Sequence, residues 1–370
     1  MKKLYGAPVT PKWRLWIVLP LIVLLIAVIV FTGFAVKQKD FSKGMNIGID
    51  FSGGSVVTIV LGEKQLGKSE DFNKHLKNIE EVIKDKEIAD KVVAQAKEKG
   101  VNVNADAIEG SISYSQKSDT GENMSIIVKY DNVSKTFDKD NSLTNARNKL
   151  IEEKLKSIYS EEAGYDGVSV NISYIGATAS AKLIKTALIS VFLTLALILI
   201  YIIIRFEVWS GLAAIIALAH DVLMMVSMTT IFRVQINSAF IAAMITIVAY
   251  SINNTIVVFD RVREDMKNEK SLSTSQTLNN NAIVDKAVWE TLSRSVNSTL
   301  TTMISIVFFA ILGASSVREF ALPVIFGLIA GFYSSLVLAP SIYCLMKNAA
   351  DKAKTKKKNV AAKSKKYAGM

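Results

Sequence analysis

Cysteine and histidine are almost missing from this sequence. Its 370 residues include one cysteine, Cys344, and two histidines, His75 and His220. A single thiol excludes an intramolecular disulfide, and so few thiolate and imidazole donors leave a zinc site without ligands. Neither a metal nor a cofactor is expected. Acidic residues are also in short supply, 33 against 44 lysines and arginines, for a formal net charge of +11. The largest share of that excess lies in the C-terminal "KAKTKKKNVAAKSKK". This location favours a solvated cytoplasmic tail under the positive-inside rule. Attraction to anionic lipid or to ribosomal RNA are the alternatives, and no nucleic-acid partner is expected.

What the chain has in excess is apolar surface. Half of it is hydrophobic, with a mean hydropathy of +0.31, and the excess is concentrated in runs. These are Leu15–Val36, Leu183–Ile204, Trp209–Phe232, Ile236–Phe259, a short Asn297–Leu312 and Phe320–Met346. About 20 residues at 1.5 Å rise cross a hydrocarbon core of about 30 Å. Five runs qualify, and the run from Asn297 qualifies if a preceding turn enters with it. Six transmembrane helices in a bilayer are therefore expected. Lys2, Lys3, Lys12 and Arg14 before the first run, and Gly33-Phe34-Ala35 near its end, resemble a signal peptide. Its apolar stretch exceeds a signal h-region, so it reads as an uncleaved anchor with the N-terminus in the cytoplasm. Alternation then makes 1–14 cytoplasmic, 15–36 the first helix and 37–182 an extracytoplasmic domain. Helices two to six occupy 183–346, with a cytoplasmic loop at about 260–296, and a basic cytoplasmic tail covers 347–370.

The segment 37–182 is long enough for its own core. "MNIGIDFSGGSVVTIVL" reads as a strand interrupted by a turn at Ser52-Gly53-Gly54. Gly53 and Gly54 are turn glycines or a hinge to the membrane, since glycine permits both. Glu70–Lys99 has helical apolar spacing, "MSIIVKY" reads as a strand, Leu143–Ser160 as a helix and "GVSVNISYIG" as a strand. This order suggests an α+β domain of ferredoxin-like type. The lysine- and glutamate-rich Glu63–Gly110 is a solvated helical insertion or a chain-contacting surface.

Three features depart from plain lipid-spanning sequence. In "AYSINNTIVVFDRVRED" (Ala249–Asp265), Tyr250 and Asn254 are four apart, as are Ser251 and Thr255, and Asn253 lies between them. Such residues are helix–helix glue or line a hydrated gap. In "TLSRSVNSTLTTMIS", Asn297, Ser298, Thr301, Thr302 and Ser305 fall within about 80° of Arg294 on a helical wheel. Two facing polar stripes imply a hydrated seam between the fourth and fifth helices. "LAHDV" places His220 and Asp221 near the middle of the third run. Burying an Asp there costs about 2.5–3.5 kcal/mol, so it is either paired structurally or titrates. Asp260, Arg261 and Arg263 at the membrane border read as interfacial anchors.

Taken in order, "GIDFSGG", "IRFEVW", "ALAHDV", "AYSINNTIVVFDRVRE", "ETLSRSVNSTLTT" and "REFALPVIFGLIAGFYSS" resemble the signatures of the SecD and SecF protein-export family, on its SecF side. The resemblance covers nearly the whole chain. It implies a six-helix fold like that of the RND superfamily, and SecD as a partner. It further implies docking on the SecYEG translocon, with YidC and YajC as further partners, and outward movement of unfolded preprotein driven by the proton or sodium gradient. No ATP site is expected. The family motif reads "SIND" where this sequence has Asn254, and an amide cannot carry a proton. Arg294 matches the family's functional arginine. Coupling then rests on a SecD carboxylate or on Asp221, or is weakened.

Two other function classes remain. A non-conducting scaffold that stabilises SecD or the insertase assembly would tolerate changes at Arg294 and Asp221. A small-molecule exporter of the RND type needs a substrate cavity and normally two six-helix halves, which one half with one modest domain disfavours.

Overall fold

The computed structural model describes residues 8–37, 41–61, 69–108, 112–119, 124–134, 137–138, 140–160, 168–272, 279–313 and 315–368. The chain divides into two compact units. One comprises Ile47–Leu188 with Leu312–Ser315, the other Met1–Asn46, Ile189–Ile311 and Ser316–Met370.

In the first of these, α2 (Ile49–Ser52), β1 (Gly54–Leu61), α3 (Ser69–Ile83) and α4 (Lys86–Glu98) are followed by β2 (Ile112–Asp119), β3 (Met124–Tyr130), α5 (Ser142–Ile158) and β4 (Ser169–Ile175). The strands form one sheet in the order β2-β3-β1-β4, with every neighbouring pair antiparallel. Along β1, Val57, Ile59 and Leu61 are fully buried while Val56, Thr58 and Val60 are half-buried, the period of two that a pleated strand imposes. The register sets Val57 opposite Val128 and Ile59 opposite Ile126. Ile79 and Val82 of α3 and Ile151 and Leu155 of α5 join the same core. Each such burial stabilises by about 1.5–3 kcal/mol.

The sequence expectations change at three places. Met45–Leu61 is not one interrupted strand, because Ile49–Ser52 forms a helical turn that Gly53 N–H closes onto Ile49 O at 2.9 Å. Gly53 (φ 71°) and Gly54 (φ 136°) lie where side chains are strained, and a Cβ on Gly54 would meet Tyr130 O at 3.2 Å. Second, the helix expected over Glu70–Lys99 breaks before Asp85, whose extended backbone caps α4 by accepting the Glu87 N–H at 2.9 Å. Third, β2 has too polar a sequence to announce itself, and its backbone pairs at the sheet edge with β3. Parts of Glu63–Gly110, at 63–68 and 109–110, lie outside the described residues.

The other unit contains α1 (Trp13–Lys37), most of α6 (Ala177–Arg205), α7 (Val208–Ile231), α8 (Ser238–Leu272) and α9 (Asn280–Leu312). It ends with α10 (Ser315–Tyr333), a π turn at Ser334–Leu338 and α11 (Ala339–Ala368). Among the described residues, six helical stretches are long and apolar enough to cross a membrane. The fifth begins at Asn280 rather than Asn297, and the loop expected at 260–296 is helical to Leu272 and again from Asn280. α10 lies close against α8 through Gly327 and Gly331. A Cβ on Gly327 would come within 2.5 Å of Ile247, and one on Gly331 within 3.1 Å of Ser251. This is the small-xxx-small spacing that lets membrane helices approach.

Contacts at the two ends of this bundle show which segments share an end. At one end Asp285 accepts the Val9 and Thr10 N–H groups at 3.1 and 2.9 Å, and Asn280 donates to Asn348 and Asp351. Lys347 pairs there with Glu207, and Arg205 with Asp260 at 3.2 Å. At the other end Ile236 N–H donates to Asn46 O at 2.8 Å, Arg233 to Gly44 O at 2.6 Å, and Asn237 to Glu319.

Asp85 also pairs with Lys154 of α5, and the Lys154 ammonium hydrogen-bonded to it holds its carboxyl below the usual carboxylate range. A depressed folded value means stability that is full above the unfolded value of about 3.9 and lost as pH falls through the folded one. Asp85→Ala is therefore expected to cost about 1 kcal/mol at neutral pH and progressively less below about pH 4. Hydrogen exchange at the first-turn amides of α4, compared across pH, measures it.

Candidate functional site

The buried ionisable centre of the bundle is Asp221, which is 0% exposed in the middle of α7. Its carboxylate accepts hydrogen bonds from three directions. Ser251 Oγ of α8 donates to Oδ2, Ser334 Oγ of the π turn donates to Oδ2 at 2.8 Å, and His220 Nδ1 lies 2.9 Å from Oδ1. Hydrogen bonds to a charged group contribute about 1.5–3 kcal/mol each. Three of them match or exceed the insertion cost of about 2.5–3.5 kcal/mol for an Asp at mid-span. All three neighbours can donate to the carboxylate, and a His220 that donates from Nδ1 has its other ring nitrogen, Nε2, turned away from Asp221. Nε2 is buried without a partner among the described residues.

Sequence reasoning missed Ser334, and the reason lies in the backbone. Ala339 N–H bonds to Ser334 O, five residues back, and Pro340 beyond it has no N–H to give. The widened π turn carries the Ser334 hydroxyl to Asp221. The neighbouring Tyr333 flanks the His220 ring at 6.0 Å and donates its hydroxyl to Trp16 O. That carbonyl is available because Pro20, four residues on in α1, lacks the N–H that would normally occupy it. A proline in the first span is thus linked, through Tyr333, to the surroundings of the Asp221–His220 pair. The signal in the sequence was the two prolines, Pro20 and Pro340, inside apolar runs.

The polar residues of α8 and α9 are distributed differently from the expected facing stripes. Tyr250 OH donates to Thr299 Oγ1 at 3.1 Å, and Arg261 of α8 pairs with Glu290 of α9. This antiparallel register sets Asn254 level with Ser295. Both are buried, and Asn254 Nδ2 and Ser295 Oγ have no hydrogen-bond partner among the described residues. Buried polar atoms are normally paired with protein or water, so this level suits a hydrated or partner-completed gap. Asn253 is exposed, as are Arg294, Asn297, Ser298 and Thr301. Thr301 bonds back to Asn297 O at 2.8 Å and Thr302 to Ser298 O at 3.1 Å. The face of α9 turned inward is Thr291, Ser295 and Thr299, at intervals of four. Ser295 lies about 100° round the helix from Arg294. Centring the wheel on the one charged residue selected the outer face.

The border residues form ion pairs. Asp260 meets Arg205 at 3.2 Å and Arg263 at 3.6 Å, while Arg261 joins Glu264, Asp265 and Glu290. These pairs tie α8 to the α6 terminus and to α9. Among the described residues no group of His, Cys, Asp and Glu could hold a metal. One pattern does run against the expectation of no nucleotide site. "GEKQLGKS", Gly62–Ser69, has phosphate-loop spacing. It follows a strand antiparallel to both neighbours, whereas such loops sit in parallel βαβ units, and residues 62–68 lie outside the described residues.

Comparison with known proteins agrees with the arrangement of the spans. The family model "Protein export membrane protein SecD/SecF, C-terminal" matches residues 152–349, more than half of the chain. This chain belongs to the SecD/SecF protein-export family. The SecD/SecF match covers the whole Asp221 cluster and both α8 and α9, and leaves β1 to β3 outside. The protein translocase subunit SecF of Sebaldella termitidis is 31% identical over 311 residues, covering 82% of this chain and 83% of that one. SecF of Helicobacter pylori strain ATCC 700392 is 29% identical over 306 residues, covering 83% and 79%. SecDF of Bacillus subtilis is 40% identical over 194 residues, of which this chain covers 26%. The crystal structure of SecDF, a translocon-associated membrane protein from Thermus thermophilus, matches with a TM-score of 0.62 at 26% identity. The match covers 93% of this chain and 39% of that one. The chain therefore corresponds to one part of the longer SecDF proteins and to most of the SecF ones.

Two outcomes check the site. Tyr333→Phe leaves Trp16 O unpaired and is expected to destabilise the protein by about 1–3 kcal/mol. In a Pro20→Ala background it should cost less than half of that, because the restored N–H takes over the carbonyl. Thermal unfolding of the four proteins of this cycle in lipid nanodiscs decides. In a His75→Gln background, 15N spectroscopy of the one remaining histidine is expected to show hydrogen on Nδ1. A bare Nδ1 would contradict the Asp221 arrangement.

Proposed function

We propose that this chain is a SecF-type protein translocase subunit of the Sec export pathway. It works with SecD beside SecYEG, with YidC and YajC as further partners, to move unfolded preprotein outward using the proton or sodium gradient. The observation that carries the coupling part is the mid-span Asp221 carboxylate, bonded to Ser251 of α8, Ser334 of the π turn and the adjacent His220 of its own helix. A charge there whose surroundings change with protonation links ion passage to helix position. The Asp221–His220 pair takes the place of the carboxylate missing at position 254. The outward-facing Arg294, Asn297 and Thr301 meet SecD, whose own intramembrane acid pairs with Arg294.

The membrane orientation follows from charge. The bundle end that holds Val9, Glu207, Asn280 and Asn348 also carries Lys12, Arg14, Arg205, Arg261, Arg263, Lys267, Lys270 and Lys347. By the positive-inside rule this charge supports assigning that end, with both termini, to the cytoplasm of a bacterial cell. The domain after Asn46 then lies outside the membrane. Its βαββαβ order and antiparallel β2-β3-β1-β4 sheet support a ferredoxin-like assignment. Gly53 and Gly54 form its entry turn.

A scaffold that only stabilises SecD is the second reading, favoured by the amide at Asn254. Precursor chase in membrane vesicles, with and without ionophore, separates the two. Asp221→Asn and Arg294→Met are each expected to slow ionophore-sensitive precursor release by about tenfold or more while SecD still co-purifies, the effect of losing a charge-assisted contact. Wild-type rates for both variants in assembled complexes would leave the scaffold.

A further inference from the structure

A second site lies away from Asp221, at the bundle end that holds the chain termini. Arg263, Lys267, Lys270 and Lys347 line one cavity of about 200 Å³, with Glu207 as its one acidic wall among the described residues. Arg263, Lys267 and Lys270 are spaced four and three apart on α8, so their side chains share a face. Glu207 is already engaged by Lys347, and Arg263 has only Asp260 at 3.6 Å. Lys267 and Lys270 make no ion pair among the described residues. Apart from Ser210, the rest of the wall is apolar and aromatic, with Phe206, Phe259 and Tyr343.

The depth of this cavity decides what could fill it. α8 has 35 residues and is about 52 Å long at 1.5 Å per residue, well beyond a hydrocarbon core of about 30 Å. Its apolar run ends at Phe259, and Arg263 stands one turn further, at headgroup level. Beside it Ile203, Ile204 and Val208 are 67%, 81% and 69% exposed, a surface for hydrocarbon. Snorkelling accounts for lysines reaching the headgroup layer. It does not account for four cations converging on one aromatic-walled cavity with a single acid.

We propose that this cavity binds the phosphate headgroup of an anionic membrane lipid, with its acyl chains against the α6–α7 turn. Excess positive charge faces the phosphate, and the adjoining apolar surface selects a lipid over a free anion. The lipid then bridges α7, α8 and α11 on the side opposite the Arg233 end.

The test uses the full chain in phosphatidylcholine nanodiscs, titrated with fluorescent phosphatidylglycerol. The triple variant Arg263→Gln, Lys267→Gln, Lys270→Gln alters three exposed side chains and is expected to lower affinity by at least about tenfold, as three lost cations near an anionic surface imply. A control triple of equal charge loss at the same end, Lys12→Gln, Arg14→Gln, Lys352→Gln, should bind as wild type. Equal loss in both triples would reduce the effect to surface charge and overturn the site, as would equal binding of labelled phosphatidylcholine. Displacement of the labelled lipid by millimolar inorganic phosphate alone would identify a free-anion site and overturn the lipid assignment.

Discussion

A carboxylate at the centre of a membrane bundle needs donors, and the geometry around Asp221 follows from meeting that need. Its oxygens draw in Ser251 from α8, Ser334 from the π turn and His220 from its own helix. Each requirement constrains a neighbour. Ser251 reaches Asp221 while α10 presses against it at Gly331, which has no Cβ to obstruct. Ser334 arrives because the helix widens by one residue before Pro340. Once Ser251 faces α7, helical geometry turns Tyr250 and Asn254 toward α9, where Tyr250 meets Thr299.

The polar residues of the spans therefore fall into three states of satisfaction. Around Asp221 the carboxylate's hydrogen bonds are made, with His220 Nε2 the one unpaired atom among the described residues there. At the level of Asn254 and Ser295 two buried polar atoms are without partners among the described residues. On the outer face of α9 Arg294 and its neighbours are exposed, with hydroxyls returned to their own helix. A finished single-chain bundle would not present a guanidinium at the head of an exposed polar face. A subunit of a larger membrane assembly would, and the SecD/SecF membership agrees with that. The same logic separates two kinds of cation. Arg205 and Arg261 are engaged by Asp260 and Glu290 in ion pairs between helices, whereas Lys267 and Lys270 make no ion pair among the described residues.

The spans were legible because crossing hydrocarbon depends on a run of apolar side chains, a property of local composition. The polar cluster around Ser251 and the buried Asp221 were legible for the same reason, since a polar group in an apolar run stands out wherever the chain folds. The alternation of Val57, Ile59 and Leu61 likewise announced β1. The edge strand β2 did not show, because backbone pairing with β3 makes it a strand and its side chains carry no alternating pattern.

Sequence alone thus determined how many helices are long and apolar enough to cross and which carboxylate sits within an apolar run. Tertiary structure decided which way each helix turns. It set Ser295 and Thr299 rather than Asn297 and Thr301 toward α8, because packing against distant residues, not the position of the one arginine, fixes rotation about a helix axis. It also decided that Tyr333 takes the Trp16 carbonyl that Pro20, more than three hundred residues away from it, leaves free, and that a π turn brings Ser334 to Asp221. These are contacts between remote parts of the chain, and the local order of residues does not encode who will meet whom.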